Sequence, residues 1–109
     1  MYIMSNVSYP FIKIGMTSKD PHDRAKELYT TGVPTKFVVE YSRYTYDHAM
    51  GERRIFSALN DYRVSPNREF FSTTVGLAMD TMDAQLSEIE GCMSKLSIGT
   101  CGVIPSTDA

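Results

Sequence analysis

The sequence predicts an α+β domain: a small three-stranded antiparallel sheet flanked by helices. Two short apolar runs, YIMS and FIKIGM, are parted by a polar break that ends in proline. A third run, KFVVEYSRY, is rich in aromatic and β-branched residues. From Val75 to Leu96 the apolar residues step by three or four throughout. The first three patterns belong to half-buried strands and the last to an amphipathic helix. The elements follow the order β-β-α-β-α-(β)-α, and a sheet this small is stable only with helices packed on it.

Tyr2–Ser5 is expected to form the first strand and Phe11–Met16 the second, with Asn6-Val7-Ser8-Tyr9-Pro10 as the hairpin loop. In the second strand, alternation puts Phe11, Lys13 and Gly15 on one face and Ile12, Ile14 and Met16 on the core face. Asp20 is the N-cap of a first helix whose first turn begins at Pro21 and which continues to about Tyr29. Thr30-Thr31-Gly32-Val33-Pro34 stops it. Lys36–Tyr44 is the third strand, and Asp47–Asn60 a second helix with Met50, Ile55, Phe56 and Leu59 inward. The stretch DYRVSPNREFF returns as a loop and a short extended segment. Ser72-Thr73-Thr74 then caps the long third helix, whose apolar positions are Val75, Ala78, Met82, Leu86, Ile89, Met93 and Leu96. One domain over residues 1–96 and a flexible tail over residues 97–109 are expected.

A chain of 109 residues, 42% hydrophobic and 22% charged, is an ordinary single globular domain rather than a disordered segment. No apolar run approaches membrane-spanning length, and no leader pattern opens the chain, so a cytoplasmic site is expected, the host cytoplasm if the chain is phage-encoded. Cys92 and Cys101 have no histidine near them in sequence and do not form a zinc site, which needs four ligands. Net charge is −2, unevenly spread: residues 1–72 carry +2 and residues 73–109 carry −4. The mildly basic part is compatible with a phosphate-facing surface.

Lys13, Arg24, Glu52 and Glu69, together with seven tyrosines, are the residues able to carry chemistry. Such a set suits phosphodiester hydrolysis. A carboxylate can hold hydrated Mg²⁺, an arginine can neutralise the phosphate, and a tyrosine or lysine can orient or deprotonate water. Taken singly, each has a plainer reading: a lysine on a solvated sheet face, an arginine paired with Asp20 or Glu27, and glutamates beside basic neighbours.

The order of four motifs goes further. Tyr-x-Met-Ser-Asn on the first strand, Lys-Ile-Gly-Met-Thr on the second, Asp-Arg-Ala-x-x-Leu on the first helix and Tyr-Arg-Val-x-x-x-Arg-Glu-Phe-Phe near residue 70 resemble the GIY-YIG endonuclease superfamily, in particular its small phage- and virus-associated, T5-orf-like branch. The resemblance covers roughly residues 1–72 and the helix that follows. It implies that Tyr2 matches the tyrosine of "GIY", and that Lys13 stands where most of the superfamily has the tyrosine of "YIG". Gly15 matches the family glycine. The resemblance further implies that Arg24 binds the scissile phosphate and that Glu52 is the protein ligand of one divalent ion, Mg²⁺ or Mn²⁺. Glu69 matches a carboxylate characteristic of the branch. The branch usually has histidine four residues after the helix-two glutamate, where this chain has Phe56. Other branches have His or Tyr one turn after the arginine, where this chain has Leu28, followed by Tyr29. Tyr29 and His48 are the remaining candidates for a substitute.

What the resemblance implies is a metal-dependent endonuclease acting on DNA, with water activated by Tyr2 and assisted by Lys13 or a metal-bound hydroxide. The alternative is a catalytically impaired GIY-YIG domain that binds nucleic acid without cutting it, or that serves as a phage counter-defence interaction protein. A homodimer through the third helix is a further expectation. The chain has no zinc finger or helix-turn-helix of its own to read DNA sequence.

Overall fold

A computed structural model describes residues 1–65 and 69–96, the side chains of 92–96 excepted. The elements are β1 (Tyr2–Ser5), β2 (Ile12–Gly15), α1 (Pro21–Leu28), β3 (Val38–Ser42), α2 (His48–Ala58), a single 3₁₀ turn (Asn60–Tyr62), β4 (Phe70–Phe71) and α3 (Val75–Leu96). The expected tail over 97–109, Cys101, and the side chains of Cys92, Met93 and Leu96 lie outside the described residues.

The sheet has four strands in the order β3-β1-β2-β4, every neighbouring pair antiparallel, rather than the three expected from the sequence. The extra strand is only two residues long, too short for any alternation to register. Its partner defines it: Ile12 lies opposite Phe71 and Lys13 opposite Phe70, and Ile14 N donates to Glu69 O at 3.0 Å. The segment after α2 continues this ladder, since Arg63 bridges Phe71 and Val64 N donates to Phe70 O at 2.9 Å.

Local chemistry sets the connections. In the β1–β2 loop the Asn6 carboxamide accepts from Ser8 N at 2.9 Å, and its NH₂ donates to Thr35 O at 2.8 Å. One buried side chain thus closes the turn and ties it to the approach to β3. Asp20 accepts from His22 N at 2.9 Å, Asp47 from Met50 N at 3.0 Å and Thr74 Oγ1 from Leu77 N at 3.1 Å. Each satisfies a helix N–H that has no partner within the helix. β3 is shorter than Lys36–Tyr44, and a register shift opposite Ile3 and Met4 leaves Glu40 without a partner residue on β1.

The sheet divides two clusters. On one face Ile3, Ile12, Ile14 and Phe71 pack against Ile55 and Leu59 of α2 and Ala78, Met82, Leu86 and Ile89 of α3. Fully burying each such side chain contributes roughly 1.5–3 kcal/mol. On the other face Tyr2 and Met4 meet Ala25, with Leu28, Phe37 and Val39 around them. Met16, expected in the core, is exposed because β2 ends at Gly15. Three acidic residues of α3 have partners within the chain: Arg43 reaches Asp83 at 2.9 Å and Glu90 at 2.7 Å, and Arg54 reaches Glu88 at 2.5 Å. No helix among the described residues is long and apolar enough to cross a membrane.

Candidate active site

Gly15 lies directly opposite Tyr2 in the β1–β2 ladder, and Lys13 lies opposite Met4. Residues paired across a ladder share a face, so Tyr2, Met4, Lys13 and Gly15 all point to the α1 side. The Lys13 ammonium stands diagonal to Tyr2, and the residue facing the tyrosine is the glycine. A Cβ on Gly15 would stand 2.6 Å from Tyr2 Oη and 2.9 Å from Glu69 Oε1. The missing side chain therefore leaves the space that the phenol and the carboxylate both approach.

β4 delivers the carboxylate. Phe70 pairs with Lys13, so Glu69 sits at the end of β2, and Lys13 Nζ donates to Glu69 Oε1 at 3.1 Å. The lysine side chain is only 11% exposed. A largely buried ammonium requires an anion, which argues against the plainer reading of a solvated lysine.

Arg24 comes from the first turn of α1. It reaches Glu27 at 3.2 Å, and Glu27 in turn holds Lys19 at 2.7 Å. The Arg24 guanidinium also lies close enough to the Tyr2 side chain to favour its phenolate. Tyr2 is 1% exposed. Burial pushes its phenol above the ordinary range, and the charges of Glu69 and Glu52 push the same way, while Arg24 opposes them. The phenol is therefore protonated at neutral pH. It can donate a hydrogen bond and stands beside the cation that would stabilise its phenolate.

Glu52 projects from α2 toward the same place. Its carboxyl titrates above the usual range, first because it is partly buried and then because Glu69 repels its charge, with Arg63 and Lys13 acting in the opposite sense. Five expected residues, Tyr2, Lys13, Arg24, Glu52 and Glu69, thus sense one another around Gly15. Tyr29 and His48 do not join them. Tyr29 caps the C-terminus of α1 and lies under the Lys36 ammonium at 5.9 Å. His48 lines a separate cleft with Lys19, Arg43, Tyr44 and Tyr46.

Arg63, which the sequence alone shows only as one basic residue near Glu69, also belongs to this site. Its guanidinium carbon lies 4.8 Å from the centre of the Phe56 ring, and Phe56 packs edge-on against Phe71 at 5.0 Å. Phe56 is one turn along α2 from Glu52, so the stacked arginine is held near that carboxylate. Phe56 therefore serves as a platform for a cation. The sequence held both residues, but their meeting depends on the Arg63–Phe71 bridge.

The resemblance implies a divalent ion. Among the described residues no group of three or more His, Cys, Asp or Glu forms a cage for one. Mg²⁺ needs no such cage, since one or two carboxylates, substrate phosphate and water complete its shell. Glu52 and Glu69 supply oxygen donors only, and their mutual repulsion is relieved by a cation. The donor set fits Mg²⁺ or Mn²⁺.

A family model described as the T5orf172 domain matches residues 1–96. No curated protein and no solved structure matches the chain.

Proposed function

The chain belongs to the T5orf172 domain family, and on that premise we propose that it is a metal-dependent DNA endonuclease of the GIY-YIG type. The family is compatible with nuclease or nucleic-acid-binding chemistry. The observation that carries the reading is the convergence around Gly15 of a buried phenol, two cations and two carboxylates drawn from β1, β2, α1, α2 and the residue before β4. A structural ion pair would need only two of them.

In this reading Arg24 receives the scissile phosphate and stabilises the charge that builds on it. Tyr2 orients the attacking water and, in the fraction present as phenolate beside the Arg24 guanidinium, takes its proton to become the phenol. Lys13 holds Glu69 in position and adds positive charge to the pocket floor. Glu52, with Glu69 beside it, would hold a divalent ion, whose positive charge would favour departure of the leaving oxygen. The test is nicking of supercoiled plasmid and cutting of single-stranded DNA in Mg²⁺, Mn²⁺ or EDTA, beside Glu52→Ala. Metal-dependent cleavage lost in the variant supports the reading. Wild-type cleavage by folded Glu52→Ala overturns it.

A second reading is favoured by Phe56. Where the resembled branch has histidine, this chain has a ring stacked under Arg63 that cannot transfer protons. A domain that binds nucleic acid without cutting it would show salt-sensitive binding weakened by Arg24→Ala, and no product with any divalent ion.

A further inference from the structure

The sheet face that carries α1 holds two grooves with Phe37 lining both. One, of about 620 Å³, is also lined by Tyr9, Phe11, Lys13 and Phe70. The other, of about 710 Å³, is also lined by His22, Lys26, Tyr29 and Lys36. Both volumes fall in the range of about 300–1,000 Å³ typical of ligand sites. The rings form a connected array. Tyr9 stacks on Phe11 at 5.4 Å with planes 5° apart, Phe11 meets Phe70 edge-on at 5.0 Å, and Phe70 lies 6.4 Å from Phe37. Beyond Phe37 stands Tyr29, 45% exposed.

The charged side chains that line these grooves are all basic. Three lysines and a histidine line the two grooves, with no aspartate or glutamate among the described lining residues, although Lys13 is paired with Glu69 and His22 with Asp20. This occurs in a chain whose net charge is −2. Aromatic faces interleaved with cations match an occupant that carries both π-faces and regular negative charge. Duplex DNA keeps its base faces stacked inside, so the rings would gain nothing from it. A strand with unpaired bases offers both features. The first groove is also continuous with the cluster around Gly15, because Lys13 belongs to each: its ammonium is 3.1 Å from Glu69 and 5.1 Å from the centre of the Phe70 ring.

We propose that the two grooves form a platform for an unpaired nucleic-acid strand, with bases on Phe37 and Tyr29 and the backbone along Lys13, Lys26 and Lys36. This deepens the nuclease reading and rests on it for the strand's direction, since the strand would lead from the scissile phosphate into the grooves. Substrates with a single-stranded segment are then preferred to uninterrupted duplex.

The test is fluorescence anisotropy in EDTA, with a labelled oligothymidylate of about 12 nucleotides and a duplex of equal length. The single strand should bind more tightly than the duplex, and its affinity should fall with salt. Tyr29→Ala should weaken single-strand binding about fivefold or more, the lower end of the base-stacking range. Lys36→Ala should flatten the salt dependence by roughly the 0.7 expected for one phosphate contact. Equal binding of duplex and single strand, or wild-type affinity and salt slope in both folded variants, overturns the platform. Cleavage of the same oligonucleotides in Mg²⁺ is scored separately. Tyr29-dependent binding without any cleavage supports the platform and overturns the nuclease reading. Cleavage that favours duplex and is indifferent to both substitutions overturns the platform and leaves the nuclease reading standing.

Discussion

Gly15 faces Tyr2 across the β1–β2 ladder so closely that a methyl group on the glycine would stand 2.6 Å from the phenolic oxygen. Real side chains do not pack that tightly. The tyrosine is 1% exposed and has nowhere to withdraw. Gly15→Ala should therefore displace the Tyr2 hydroxyl and the Glu69 carboxylate together. Overpacking of this kind costs about 1–3 kcal/mol. Cleavage should fall at least tenfold, at a temperature where circular dichroism shows the variant still folded. Full activity in a folded Gly15→Ala would mean that the placement of Tyr2 and Glu69 beside Gly15 is not used.

Tyr2 gives the reaction its pH signature. Its phenol is raised above the ordinary tyrosine value near 10, chiefly by burial, so below that value the phenolate fraction grows tenfold for each unit of pH. If Tyr2 takes the proton from water, the cleavage rate should climb steadily from pH 7 into the alkaline range. Tyr2→Phe should lose that slope and about 10²–10⁴-fold in rate. A variant that keeps the wild-type slope assigns proton transfer to another group.

Glu52 should trade stability for function. Its folded carboxyl is raised, mainly by burial, so its ionised form is disfavoured in the folded protein at neutral pH. The sign follows from linkage. The cost is present above the folded pKa and disappears as pH falls below the unfolded value near 4.3. Glu52→Gln should melt at or above the wild-type temperature at pH 7, with the difference closing on acidification, while cleavage drops to the level seen in EDTA. A lower melting temperature at neutral pH would mark Glu52 as a structural residue.

Much of this arrangement was legible in the sequence because it rests on local signals. Asp20 and Asp47 cap the helices they announce, and the step of three or four from Val75 puts Ala78, Met82, Leu86 and Ile89 in the core. The alternation of β2 puts Lys13 on the face away from Ile12 and Ile14. What was not legible is long-range. A strand of two residues carries no period of its own, so β4, and with it the Lys13–Glu69 pair, depends on where β2 lies. The stacking of Arg63 on Phe56 likewise depends on the bridge to Phe71. Tyr29 and His48 were plausible by residue type alone, and each faces a different groove.

Arg43 offers a change that should affect stability and spare the chemistry. It follows β3 directly, is 23% exposed, and joins Asp83 and Glu90 of α3. Tyr41 donates to the same Asp83 carboxylate at 2.5 Å. Exposed ion pairs contribute about 0–1 kcal/mol each, but here one half-buried guanidinium serves two carboxylates and fixes a helix to an edge strand. Arg43→Ala should cost about 1–2 kcal/mol, a fall in melting temperature of several degrees for a domain of this size. Asp83 is held below the usual carboxylate range, first by Tyr41 and then by Arg43. Its contribution is therefore complete above its unfolded value near 3.9 and is lost as pH falls through the folded value below that. The gap between wild type and Arg43→Ala should be widest at neutral pH and narrow below about pH 4. Thermal melts from pH 3 to pH 8 check this, and a gap that stays constant across that range would show that Arg43 acts through packing rather than charge.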